Sequence, residues 1–241
     1  MESLKNYKEL KYGEINKFIR EATNTEKLLK DNPNDVVVRD IVNIDSMMYN
    51  DGKLNKRWMY RGFSKGLIPV VLEVSDGVIV NKSYSSSTFL LDNAKKFIDT
   101  ETGCCVLMFV IPSDIKYYEY KGDNNETEVL IQRNTQFIID RENSTDLVYV
   151  AVLRKWEEPN IPDIKQIDRK MIEALSSTLS NDINVNRIVN MLEDELDMID
   201  SEDDIEEEIQ SVACDQGITL TPDILSKAVS ILKEKFLQLE Q

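Results

Sequence analysis

The chain has 241 residues, 41% of them hydrophobic and 30% charged, which suits a soluble globular protein of one large domain or one domain with an appendage. Its formal net charge is −15 and it contains no histidine, which excludes a Ser-His-Asp triad, a Cys-His pair and any histidine metal ligand. Its three cysteines, Cys104, Cys105 and Cys214, have no spacing for a zinc site or disulfide framework and read as free thiols of a reducing compartment such as the cytoplasm.

In chain order, residues 2–30 read as helical, because Leu4, Tyr7, Leu10, Tyr12, Ile15, Phe18 and Ile19 recur at spacings near three and four. Asn32-Pro33-Asn34 breaks that pattern. A second helix is expected over 36–49, with Ile41, Ile44 and Met48 on one side, before an Asn50-Asp51-Gly52 turn. From Trp58 to Leu153 short β-type runs take over: 58–63, 78–85, 105–110, 115–118, 128–131, 136–140 and 147–153, with a helix at 90–97. Cys104 and Cys105 are expected to pack in or beside a strand rather than to react. Gly122-Asp123-Asn124-Asn125 reads as a turn, and two prolines near 156–163 as a linker. Helices follow at 164–179, 185–199, 205–214 and 222–239, the last marked by Thr221 as N-cap and Pro222 at the first helical position. The pattern is therefore α+β, with a domain over 1–155, a linker over 156–163 and a helical region over 164–241. No run of about 18 apolar residues occurs and the first residues lack an apolar signal core, so neither a membrane span nor an export signal is expected.

The charge is uneven. Residues 1–150 carry 20 basic and 23 acidic side chains, whereas residues 151–241 carry 9 and 21. Eleven of the sixteen residues from Glu193 to Glu208 are acidic, which reads either as a solvated face or as a surface for a basic or regulatory partner. An acidic balance argues against nucleic acid as a partner without excluding a local basic patch.

Without histidine, acid-base work falls to Asp, Glu, Lys, Tyr or cysteine. Three short segments then stand out: Tyr60-Arg61-Gly62-Phe63, Tyr84-Ser85-Ser86-Ser87-Thr88 and Glu126-Thr127-Glu128-Val129-Leu130. On a strand, Glu126 and Glu128 share a face, and two neighbouring carboxylates mark either an exposed edge or a site that uses them. Alone, each segment has an ordinary reading as a turn, a hydroxyl-rich edge strand or a solvated strand face.

Their order resembles that of mono-ADP-ribosyltransferases of the arginine / Ser-Thr-Ser / Glu-x-Glu class, which include binary-toxin enzyme components, ecto-transferases and phage transferases. Tyr12-Gly13-Glu14-Ile15-Asn16-Lys17-Phe18-Ile19-Arg20 is similar to that family's "Y…IN..LR" helix, 41–49 to the helix before its arginine strand, and 128–137 to its "EVLLPRGTKF" segment. The likeness covers most of residues 7–153. It implies a pair of mixed sheets around an NAD cleft, followed here by a small acidic helical appendage. It implies NAD as substrate, cleaved at the nicotinamide–ribose bond, with ADP-ribose passed to an arginine of a target protein. Arg61 would brace the phosphate and ribose region, the Gly62 backbone would hold the nicotinamide amide, and Ser86 would orient the catalytic Glu128. Glu128 would contact the ribose 2′-hydroxyl, and Glu126 would orient or deprotonate the acceptor. The loop 118–125 would recognise the target through Tyr118 or Tyr120. The central motif departs from the family pattern, since Ser86-Ser87-Thr88 replaces Ser-Thr-Ser and a shift of one would use Ser85. Two rivals stay open: an NAD glycohydrolase or nucleic-acid transferase on the same scaffold, and a non-catalytic protein acting through its acidic region.

Overall fold

The computed structural model describes residues 12–22, 24–54, 57–64, 77–96, 104–121, 127–155, 168–193, 196, 199, 201 and 204–239. Among the described residues three helices come first: α1 (Tyr12–Glu21), α2 (Thr25–Asp31) and α3 (Val36–Met47). The helix expected over 2–30 is interrupted within its described part, because Asn24 takes extended backbone and its side chain accepts the Lys27 amide at 2.9 Å, starting α2 afresh, while residues 2–11 lie outside the described residues. The valine run at 36–38 is helical for a similar reason. Asp35 accepts the amides of Val37 and Val38 at 2.8 and 3.2 Å, and this cap outweighs the weak helix preference of valine.

Eight strands follow: β1 (Trp58–Ser64), β2 (Val78–Asn81), β3 (Ser85–Thr88), β4 (Cys104–Val110), β5 (Tyr117–Lys121), β6 (Thr127–Ile131), β7 (Thr135–Asp140) and β8 (Val148–Lys155), with the short helix α4 (Leu91–Lys95) after β3. They pair in the order β2-β7-β8-β4-β1-β3-β6-β5, antiparallel except for β4 and β8. The strand expected at 78–85 is divided, because the chain leaves β7 at Asn81 and joins β6 at Ser85. The expected pair of sheets is present as two halves of one ladder, β2-β7-β8-β4-β1 and β3-β6-β5, joined by the single register pair Tyr60↔Thr88.

Strand alternation explains how the halves pack. Met59, Leu107, Phe109, Tyr149, Ala151 and Leu153 from one half bury against Tyr117, Val129 and Ile131 from the other, with Phe109 and Phe137 edge to face at 4.9 Å. The outer face of β3-β6-β5 lies under α1 and α3, where Ile15, Ile19, Ile41, Ile44 and Met48 pack on Tyr84 and Leu130. The outer face of β1, β4 and β8 presents Val106, Met108, Val148 and Val150, and it is covered by α5 (Arg169–Glu193) through Ile172 and Leu179, while the linker expected over 156–163 lies outside the described residues.

This helix corrects the expected break at 180–184. The apolar stripe continues through Val185, Ile188, Val189 and Leu192, and Asp182 is kept in mid-helix by Lys95, whose Nζ lies 2.5 Å away, and by Lys227 at 3.4 Å. The far half of α5 forms a second core with α6 (Ile205–Asp215) and α7 (Pro222–Leu239), centred on Ile188, Ile205, Ile209, Ala228 and Leu232. The cap expected for α7 is present, Thr221 Oγ1 accepting the Ile224 amide at 3.3 Å. Thr221→Ala should lower unfolding stability by about 1 kcal/mol, seen as a lower denaturant midpoint. An unchanged midpoint would show that the cap contributes nothing. No helix among the described residues is long and apolar enough to cross a membrane.

Candidate active site

Register fixes which side chains can meet. Opposed residues of an antiparallel ladder share a face, with Cβ atoms about 5 Å apart, and diagonal neighbours lie about 7 Å apart. Glu128 on β6 stands opposite Thr88 on β3 and Tyr120 on β5, and Thr88 stands opposite Tyr60 on β1. The next row holds Ser86 opposite Leu130, and Leu130 opposite Tyr118. Ser86 is therefore the diagonal neighbour of Glu128 on one face, whereas Ser85 and Ser87 point to the other with Val129 and Ile131. Gly62, two residues after Tyr60, belongs to the same outer face as Ser86 and Glu128.

Arg61 alternates to the opposite side of β1, level with Leu107, and stacks its guanidinium 5.1 Å from the Phe63 ring centroid. Its Nη1 donates to the Ser85 hydroxyl and, at 2.8 Å, to the Ser86 carbonyl. The guanidinium thus spans the place where β1 and β3 part beyond the Tyr60↔Thr88 pair. The serine beside Arg61 is Ser85, and the serine on the carboxylate face is Ser86.

Between the two outer helix layers Ser86 is exposed, and Glu128, Arg61 and Gly62 are partly so. Thr88 is buried and its Oγ1 accepts the Leu90 amide at 3.1 Å, which closes the turn into α4. Burial raises the Tyr60 pKa, so its phenol stays neutral at physiological pH. Of the two tyrosines expected at the target loop, Tyr118 packs partly buried under α1 and α3, and Tyr120 sits beside Glu128. Glu126 and Gly122–Asn125 lie outside the described residues. Among the described residues no cluster of carboxylates and cysteines could hold a metal ion, and Cys214 is an exposed free thiol.

One group near these strands went unassigned in the sequence. Asp45 on α3 accepts from Tyr84 at 2.6 Å and from Arg133 at 2.7 and 2.9 Å, and Arg133 also reaches Glu26 of α2 at 2.7 Å. Burial alone would lower the Arg133 pKa, but hydrogen bonds and charge from Asp45 and then Glu26 outweigh it, so the net shift is upward. Arg133 occupies the β6–β7 turn before Asn134, whose φ of 59° is left-handed. Asparagine tolerates that conformation well, and the resembling family segment has glycine there.

No protein-family model and no curated protein matches the sequence. Among solved structures the chain is similar to the Vis toxin, an ADP-ribosyltransferase from Vibrio splendidus, at 19% identity over 64% of this chain and 72% of that one, with a TM-score of 0.42. It is also similar to BECa, an ADP-ribosylating toxin of a C. perfringens binary enterotoxin solved with NADH (21% identity, 64% and 42% covered, TM-score 0.39). A third is C3larvin, an ADP-ribosyltransferase toxin from Paenibacillus larvae (14% identity, 64% and 86% covered, TM-score 0.39).

Proposed function

We propose that the chain is a mono-ADP-ribosyltransferase that cleaves NAD and transfers ADP-ribose to an arginine of a target protein. The observation that carries this reading is the shared outer face of Glu128, Ser86 and Gly62, with the Arg61 guanidinium at its border on the Ser86 carbonyl. Three segments that resemble one family's motifs would have no reason to converge if each were surface decoration.

The chemistry asks for what those residues offer. The bond between nicotinamide nitrogen and the ribose anomeric carbon breaks with its electron pair going to nicotinamide, which leaves neutral. The ribose then carries oxocarbenium character, and the Glu128 carboxylate stabilises that charge near the 2′-hydroxyl. Ser86, on the adjoining row, orients the carboxylate. Arg61 presents a planar, permanently charged fork to the diphosphate, and Gly62 lets the nicotinamide amide approach the backbone. The acceptor guanidine nitrogen attacks the anomeric carbon and its proton passes to Glu126. Water in place of the guanidine gives glycohydrolysis.

The acceptor is read from Glu126, since the Glu-x-Glu form of the resembling family goes with arginine. Glu126→Gln should remove transfer to agmatine, a small guanidine, while nicotinamide release into water stays within about threefold of the parent, because only the acceptor's proton transfer is lost. Equal loss of both activities would sink this division of roles.

A further inference from the structure

We propose that Asp45 is a positioning residue whose carboxylate pins the register of the β3–β6 ladder, and with it the common face of Ser86 and Glu128. This rests on the transferase reading for its consequence in catalysis, though not for its structural content.

Asp45 sits in the last turn of α3, a helix with no basic residue in that turn, so its charge is opposed there by the helix dipole. Its position is explained by its partners. Tyr84, only 3% exposed, donates to Asp45 Oδ1 at 2.6 Å and lies 3.1 Å from the Ile41 carbonyl. One hydroxyl carries one proton, and the shorter contact to a charged acceptor takes it. Arg133 closes on the same carboxylate in a fork, Nε at 2.9 Å and Nη2 at 2.7 Å from Oδ2, with its side chain 10% exposed.

The chain positions give the clamp its meaning. Tyr84 immediately precedes β3, and Arg133 follows β6 by two residues, so one carboxylate holds the same end of both strands. The ladder begins there with Ser85↔Ile131 and runs to Ser86↔Leu130 and Thr88↔Glu128. A slip of one residue would put Ser86 and Glu128 on opposite faces. The ladder itself is short: β3 has four residues, three of them serine, β1 meets it at a single pair, and Arg61 holds it from the β1 side through the Ser85 hydroxyl and the Ser86 carbonyl. Serine offers no shape by which packing could specify register.

The test uses the full chain with Tyr84→Phe, Arg133→Lys, both together, and Asp45→Asn. Two readouts are taken: steady-state NAD hydrolysis, and amide hydrogen exchange over residues 84–88 and 128–133. Each single variant should lower kcat about tenfold with KM for NAD within about threefold, the signature of a misplaced group rather than lost binding. The double variant should fall little below the worse single, because both side chains act through one carboxylate. Exchange should speed up in both strands together in either single variant. Wild-type kcat in the folded single variants, multiplying losses in the double, or faster exchange confined to α3 would each overturn the proposal. If Asp45→Asn does not fold, the two single variants still decide. If the parent chain turns over no NAD, the transferase reading fails, and the clamp stands or falls on exchange alone.

Discussion

Glu128→Gln is expected to lower both agmatine transfer and NAD hydrolysis by about a hundred- to a thousandfold, the usual size for removing one preorganised charge-stabilising group. The substitution keeps the size and hydrogen-bonding reach of the side chain and removes only its charge. A ground-state role in binding would appear as a raised KM, whereas stabilisation of a ribosyl cation appears in kcat. Glu128 is only partly buried at the end of a ladder whose apolar residues, Val129, Leu130 and Ile131, remain in place, so the variant should melt close to the parent. Initial rates with labelled NAD, alongside a thermal melt, measure both. A folded variant that keeps more than a tenth of the parent rate would mean another group carries the chemistry.

Arg61→Lys tests a second kind of dependence. The guanidinium donates at once to the Ser85 hydroxyl and the Ser86 carbonyl where β1 and β3 separate, and a lysine retains the charge without the fork. Losing a charge-assisted hydrogen bond from the guanidinium to the NAD diphosphate costs about 1.5–3 kcal/mol, or about ten- to a hundredfold in kcat/KM for NAD. The loss should fall mainly on KM, because the proposed task of Arg61 is to hold the diphosphate, which is the same in ground and transition states. Calorimetric titration of NAD together with kcat/KM would show it. A kcat/KM within twofold of the parent would remove Arg61 from the site.

Local signals were the legible ones. The last helix follows from Thr221, Pro222 and a periodic stripe, and its limits agree with those expected because the cap lies within three residues of what it caps. Two of the motif strands, β1 and β6, were legible for the same reason, each a short run of β-formers, whereas the serine strand β3 was hidden in the run expected at 78–85. Contacts between distant parts of the chain were not. The continuity of α5 depends on Asp182 meeting Lys95 and Lys227, 87 and 45 residues away, so the polar stretch read as a break. Division of the 78–85 run depends on a change of strand partner, which no window of one strand reveals. Asp45 gave only a faint sign, a carboxylate at the wrong end of a helix, because its partners Tyr84 and Arg133 lie 39 and 88 residues off. The serine run shows both limits at once. Period two required alternate serines to lie on different faces, but only the pairing with β6 shows that Ser86 shares the face of Glu128, and only the approach of β1 brings Ser85 to Arg61.

The most direct measurement is nicotinamide release from NAD by the purified chain in the presence of agmatine, with the products separated by mass. The account predicts ADP-ribosylagmatine and free ADP-ribose that together match the nicotinamide released, all lost in Glu128→Gln. A folded chain that releases no nicotinamide from NAD, with or without the guanidine acceptor, would contradict it.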